Sequence, residues 1–250
     1  MPSSIVEVFL AVDSAIRRHV PIVRQGQRDK EFHFQDWFKA RLDETGLNYK
    51  ENGRNTYPDF ELPDTEDGIE VKGLASPGRL RDFDANSRMP TGRHNSLDIF
   101  YAFGRYPKDP DSNSYEVIDL VICHGDFFSA DHNYEHENKS FREFGSYGDV
   151  LVRDRKMYVV PTPYGLLNGV EGFVTLILPA ATPADDVRLR SLGRFSRVEA
   201  AKVVVDYRFH LGSNALILGL EDNPTGGLEH EFVAYCAADD DNRVVRLRSS

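Results

Sequence analysis

The sequence predicts a mixed α/β fold, with the helices early and a β-rich remainder. Three observations carry that expectation. Apolar residues recur at helical spacing twice before residue 45. From residue 60 onward, short runs either alternate apolar with polar or are apolar throughout, the mark of half-buried and buried strands. Pro, Gly and Asn punctuate the gaps between them.

The first helix runs from Ser4 to about Arg18, with Ile5, Val8, Phe9, Val12 and Ile16 as its apolar stripe. Ser4-Ile5-Val6-Glu7 has the form of a capping box. The second runs from about Asp29 to Glu44, carrying Phe32, Phe34, Trp37, Phe38 and Leu42. Phe60, Leu62, Ile69 and Val71 then alternate with charged residues across a break at Pro63–Gly68, which predicts a hairpin. Pairing Leu62 with Ile69 sets Phe60 opposite Val71 and Asp59 opposite Lys72. Gly73 to Asn95 reads as a long irregular excursion. Leu97 to Ala102 is a buried strand or a short helix, and Val117 to Cys123 a buried strand. Leu151-Val152 with Met157 to Val160 suggests an edge hairpin. Phe173 to Leu178 is a strand stopped by Pro179, and Pro183-Ala184-Asp185-Asp186 starts a helix. Val203 to Phe209, Ala215 to Leu220 and Glu231 to Cys236 read as strands.

A chain of 250 residues with 40% hydrophobic content can build a sizeable core. We read residues 1–250 as a single domain, with a core over 1–125 and a β-rich extension over 126–250 for recognition or dimerisation. Glu7 and Asp13 interrupt the first apolar stretch, so it is no signal peptide. No run reaches the roughly 20 apolar residues of a membrane helix. Cys123 and Cys236 lie far apart and lack metal-ligand spacing, so a reducing cytoplasm is the expected compartment. There is no Gly-x-Ser-x-Gly and no phosphate-loop pattern, which leaves nucleophilic serine chemistry and nucleotide cradling unsupported.

The chemistry is concentrated between Pro58 and Lys72: Pro58-Asp59, ten residues, then Glu70-Val71-Lys72. Asp59, Glu61, Glu70 and Lys72 share the polar face of the hairpin. Asp59 and Glu70 offer two carboxylates to a hard cation, and the Val71 carbonyl a third oxygen. Lys72, two residues from Glu70, points the same way and suits polarising a water or neutralising charge on a phosphate.

This pattern resembles the active-site signature of the PD-(D/E)xK nuclease superfamily, most like a bacterial type II restriction endonuclease. The resemblance covers about the first third of the chain. It implies a restriction-endonuclease-like core with a central mixed sheet flanked by helices, magnesium (with manganese able to substitute) and hydrolysis of double-stranded DNA to 5′-phosphate ends. It also implies an accessory Glu or Gln on the helix before the first strand, for which Glu31 is the first choice and Gln35 the second. Enzymes of this kind and size commonly act as homodimers on symmetric sites. A repair or phage nuclease with the same site, or a DNA-binding scaffold without catalysis, are the neighbouring readings.

A net charge of −10 opposes DNA binding, so the distribution of charge matters. Arg79, Arg81, Asn86, Arg88, Arg93 and His94 follow directly after Lys72 and are types that meet phosphates and base edges. Between Val187 and Lys202, Arg188, Arg190, Arg194, Arg197 and Lys202 face one acid, Glu199. A rival metal-dependent hydrolase reading rests on His124, Asp126, Asp131, His132, Glu135 and His136, a nitrogen-rich set after a buried strand.

Overall fold

The computed structural model describes residues 4–24, 26, 30–53, 56–78, 83–86, 90–130, 157–159, 162–210, 212–213 and 215–240. Helix α1 is Ser4–Arg17 and α2 is Lys30–Thr45, with strand β1 (Ile22–Val23) between them. Then come β2 (Lys50–Glu51), β3 (Phe60–Leu62), β4 (Asp67–Ser76), β5 (Phe83–Asn86), β6 (Arg93–His94) and β7 (Leu97–Pro107). β8 (Ser114–Tyr115), β9 (Asp119–His124) and β10 (Met157–Val159) precede the one-turn helix α3 (Pro163–Leu166). The remaining strands are β11 (Val174–Pro179), β12 (Leu189–Val198), β13 (Lys202–His210), β14 (Ala215–Asp222) and β15 (Glu229–Ala237).

Nine strands form one mixed sheet in the order β12-β15-β11-β9-β7-β4-β3-β2, with β6 added at the start of β7. The β4–β7 and β9–β11 pairs are parallel and the others antiparallel. Strands on both sides of residue 126 therefore share one sheet. The mixed α/β class expected from the sequence is the class observed.

The sheet is covered on both faces, which is why its central strands are apolar on both sides. On one face, Ile69, Val71, Ala102 and Ile122 pack under α1 and α2, through Val8, Phe9, Phe34 and Phe38. On the other, Tyr101, Phe103, Val121 and Cys123 pack against Phe83, Phe127, Tyr164 and Leu167. Helix α2 sits close because Gly104 has no side chain. A Cβ there would lie 2.1 Å from Phe34 Cζ. Trp37 fixes the loop between the helices by donating its indole N–H to the Val20 carbonyl at 2.9 Å. Among the described residues no helix is long and apolar enough to cross a membrane.

Several local expectations change. The β3–β4 hairpin is two residues tighter than the alternation suggested, with Phe60 opposite Ile69 and Leu62 opposite Asp67. Asp67 and Gly68 had the composition of a turn but belong to β4. Gly68 allows close approach, since a Cβ would meet Ile99 and Pro58 at 2.7 Å. Asp67 is buried and accepts hydrogen bonds from the Ser4 and Thr65 hydroxyls. Ser4 thus reaches across to the hairpin, and Glu7 pairs with Arg188, so this Ser/Glu pair is spent on tertiary contacts.

Gly73 to Ser76 continue β4, held by the long parallel pairing with β7. Leu97–Ala102 is strand. Met157–Val159 pairs with β5, and Leu151 and Val152 lie outside the described residues. No helix starts at Pro183. There Asp186 accepts from the Arg188 amide and guanidinium, and the chain enters β12, a strand that the basic composition of 187–202 had concealed.

Candidate active site

The site forms where β3 stops short of β4. Phe60 is the first β3 residue paired with β4, so from Glu70 onward β4 has a bare edge on that side among the described strands. Asp59, just before β3, turns into the gap, and its Oδ2 accepts the Val71 backbone N–H at 2.8 Å. On a strand, the N–H and C=O of one residue leave from the same edge. The Val71 carbonyl is thereby directed to the side on which Asp59 sits. The tighter register also sets Asp59 abreast of Glu70, where the expected one had it opposite Lys72.

Glu70 and Lys72 project from the face of β4 away from α2, and each is 8% exposed. Lys72 Nζ lies 2.7 Å from Glu70 Oε1. Burial pushes the Asp59 carboxyl up to about 7, and the Glu70 charge adds to it. The Val71 N–H and the Lys72 ammonium pull the other way. For Lys72, burial disfavours the charge, but Glu70, then Glu31 and Asp59, outweigh it and hold the ammonium above the usual lysine range. Two carboxylates this close in a dry setting resist being ionised together.

Glu31 lies in the first turn of α2, and its charge acts on both Asp59 and Lys72. Asp59, Glu70 and Lys72 thus meet at one place, which the Glu31 charge reaches from α2. Gln35, one turn further along α2, is half-buried and carries no charge to act over that distance. Glu61 is held by Asn52 at 2.7 Å and by Lys50, which keep its carboxyl below the usual range.

An aromatic wall closes one side. Tyr101 is abreast of Glu70 in the parallel β4–β7 register. Its hydroxyl is 2.8 Å from that of Tyr57, and the Tyr57 ring meets His94 edge-on at 5.1 Å. Burial, then Tyr57 and Glu70, push the Tyr101 phenol well above its ordinary range, so it stays a neutral hydrogen-bonding group. Neither tyrosine was singled out from the sequence. Tyr57 could have been noticed as the residue before Pro58-Asp59, but Tyr101 sits in an apolar run with no local signal.

Among the described residues, no three His, Cys, Asp or Glu side chains converge into a metal shell. The donor set is two carboxylates and a backbone carbonyl. That suits a hard cation which keeps several waters, as magnesium does, and is too poor in nitrogen and sulfur for zinc. The raised Asp59 carboxyl, set beside the Glu70 charge, is what a divalent cation would relieve.

The remaining expected residues are scattered. Arg93 is exposed and pairs with Asp98 at 3.4 Å, beside His94 and near the site. Arg79, Arg81 and Arg88 lie outside the described residues, and Asn86 is described only as a β5 position paired with Met157. Arg188 is held by Glu7 and Asp186, and Arg190 by the Asp240 carbonyl. Arg194 lies 3.7 Å from Glu231. Arg197 is drawn inward, bonding the Phe127 carbonyl and lying over its ring. All four come from β12 or its approach, five strand spacings from β4, or roughly 24 Å. The fold does not bring them to Asp59. His124 accepts the Asp126 N–H through Nδ1 at 3.3 Å and packs edge-on against Phe100. Asp131, His132, Glu135 and His136 lie outside the described residues. The chain matches no protein-family model, no curated protein and no solved structure.

Proposed function

We propose that this protein is a magnesium-dependent endonuclease of the PD-(D/E)xK kind, cleaving double-stranded DNA at specific sequences as a type II restriction enzyme does. The observation that carries the reading is the Asp59 carboxylate held on the Val71 amide beside the buried Glu70–Lys72 pair. Two close carboxylates, one of them pushed up to about 7, have no stabilising role that hydrophobic residues would not fill better. Such costs are characteristic of functional sites.

Asp59, Glu70 and the Val71 carbonyl would hold the cation. Bound there, magnesium supplies Lewis-acid charge for phosphodiester hydrolysis. Lys72 stays protonated, so it serves as a donor and counter-charge to the attacked phosphate rather than as a base. Glu31 sustains the negative field that draws the cation in. Tyr101 and Tyr57 wall off water on one flank. Arg93 and His94, at the end of that wall, would meet a phosphate. The β12 arginines are too far to act at the scissile bond and would serve only as distant backbone contacts. The reading includes a homodimer acting in a reducing cytoplasm.

The test is purified protein with unmethylated phage DNA, with magnesium or with chelator, beside Asp59→Ala and Lys72→Ala. Discrete fragments that need magnesium and vanish in both variants are expected. Cutting that survives in both variants would move the site to the His124 region. No cutting by the wild type on several DNA sources would leave a scaffold.

A further inference from the structure

Strands β6 and β7 are joined by two residues. Arg93 pairs with Asp98 and His94 with Leu97, which leaves Asn95 and Ser96 as the whole connection. Both are left-handed, at φ 47° and 70°, the conformation of a type I′ turn. Asparagine suits the first position of such a turn and glycine the second. A serine at the second costs backbone energy, and costs of this kind gather at functional positions. β4 begins at Asp67, abreast of Asp98, so the turn stands beyond the end of β4. Both of its residues are exposed.

The turn is tied to the active site. Leu97 and Tyr101 share the face of β7 that Glu70 and Lys72 share on β4, and His94, opposite Leu97, stands on it too. The Tyr57 ring meets His94 edge-on at 5.1 Å, and its hydroxyl lies 2.8 Å from that of Tyr101. His94 in turn holds Asn95, whose Nδ2 lies 3.0 Å from His94 Nε2. An amide nitrogen only donates, so Nε2 accepts. One N–H of Asn95 is spent on His94. The other N–H and Oδ1 form an uncharged donor–acceptor pair at the tip of the hairpin. That pair matches adenine, which offers N7 as acceptor and its N6 amino group as donor. Guanine offers two acceptors and calls for two donors.

We propose that Asn95 is a specificity-determining residue, its amide reading an adenine in the major groove about four base pairs from the scissile bond. The inference rests on the nuclease reading and deepens it by naming the base and its place. Tyr101 is abreast of Glu70, and the step back along β7 from Tyr101 to Leu97 is roughly 13 Å. At about 3.4 Å per base pair, that span covers about four of them. The major groove is wide enough to admit a two-stranded ribbon, and here the ribbon ends in its narrowest form.

Sequencing the ends cut from unmethylated phage DNA with magnesium, by the wild type and by Asn95→Gly, tests it. Glycine keeps the left-handed backbone and removes only the amide side chain. The wild type is expected to require adenine at a position about four base pairs from the cut. Asn95→Gly should accept other bases there, with discrimination down about tenfold or more and the remaining positions of the site unchanged. Asn95→Asp keeps the turn but offers acceptors alone, and should shift the preference at that position to cytosine, whose N4 amino group donates. A wild-type site without adenine near that position, or an unaltered preference in Asn95→Gly, would overturn the inference and leave the nuclease reading standing. Slower cutting in Asn95→Gly with the preference intact would do the same. No cutting by the wild type would overturn both.

Discussion

The Asp59 carboxylate accepts its hydrogen bond from the backbone amide of Val71, at 2.8 Å, across the bare edge of β4. A backbone donor cannot rotate away, so the bond ties the first acid of the motif to the strand that carries the second. Its effect on acidity is overruled by burial and by Glu70, which together bring Asp59 to about 7.

That balance gives a pH dependence. The folded pKa of Asp59 is raised above its ordinary value of 3.8, so folding favours the protonated form. Its contribution is full below pH 3.8 and is lost as pH rises through about 7. The loss at pH 7 is on the order of 2–4 kcal/mol. Thermal melts in chelator, from pH 4 to 8, should show the wild type falling relative to Asp59→Asn as pH rises. Magnesium or manganese should flatten the difference by stabilising the ionised form. Parallel curves for the two proteins would contradict the raised acidity.

Lys72 neutralises the buried Glu70 carboxylate at 2.7 Å. Lys72→Met leaves Glu70 buried without its counter-charge and should cost about 3 kcal/mol in urea denaturation. Adding Glu70→Gln to that variant should recover most of the loss, because the uncompensated charge goes with it. A double variant no more stable than the single one would show that the pair is not energetically coupled.

Gly104→Ala should destabilise the fold by about 1–3 kcal/mol. Its Cβ would enter the Phe34 ring, and α2 would have to lift from the sheet, taking Glu31 with it. Phe34→Leu should partly rescue the stability of Gly104→Ala. Equal midpoints for Gly104→Ala and the wild type would mean that the helix has room to move.

Under the nuclease reading, Arg93 and Arg194 should differ in DNA binding. Arg93→Ala should weaken binding and reduce the salt slope by about 1, the signature of one lost phosphate contact. Arg194→Ala, across the sheet, should leave metal-dependent cutting at the wild-type rate. Fluorescence anisotropy over a salt series measures the first and a cleavage time course the second. Loss of cutting in Arg194→Ala would mean that the DNA path spans the whole sheet.

The features legible in the sequence were those set by local periodicity and by spacing. The apolar stripes of α1 and α2 are properties of single helices, and the apolar runs of β9, β11 and β15 identify buried strands from either side. The alternation around Asp59, Glu70 and Lys72 placed all three on one face, and a slip of two residues preserves that face. What tertiary structure decided was everything that depends on a partner distant in sequence. The hairpin register turned on Gly68 accommodating Pro58 and Ile99, and on the Ser4 hydroxyl donating to Asp67. Composition alone made those residues look like a turn. Tyr101 reaches Glu70 only because β7 pairs parallel with β4, and no spacing between them announces it. The arginines after residue 187 looked available to the site because charge was counted along the chain. The sheet order puts four strands between β12 and β4, and strand order is set by which apolar faces bury together, a choice that no single segment of sequence contains.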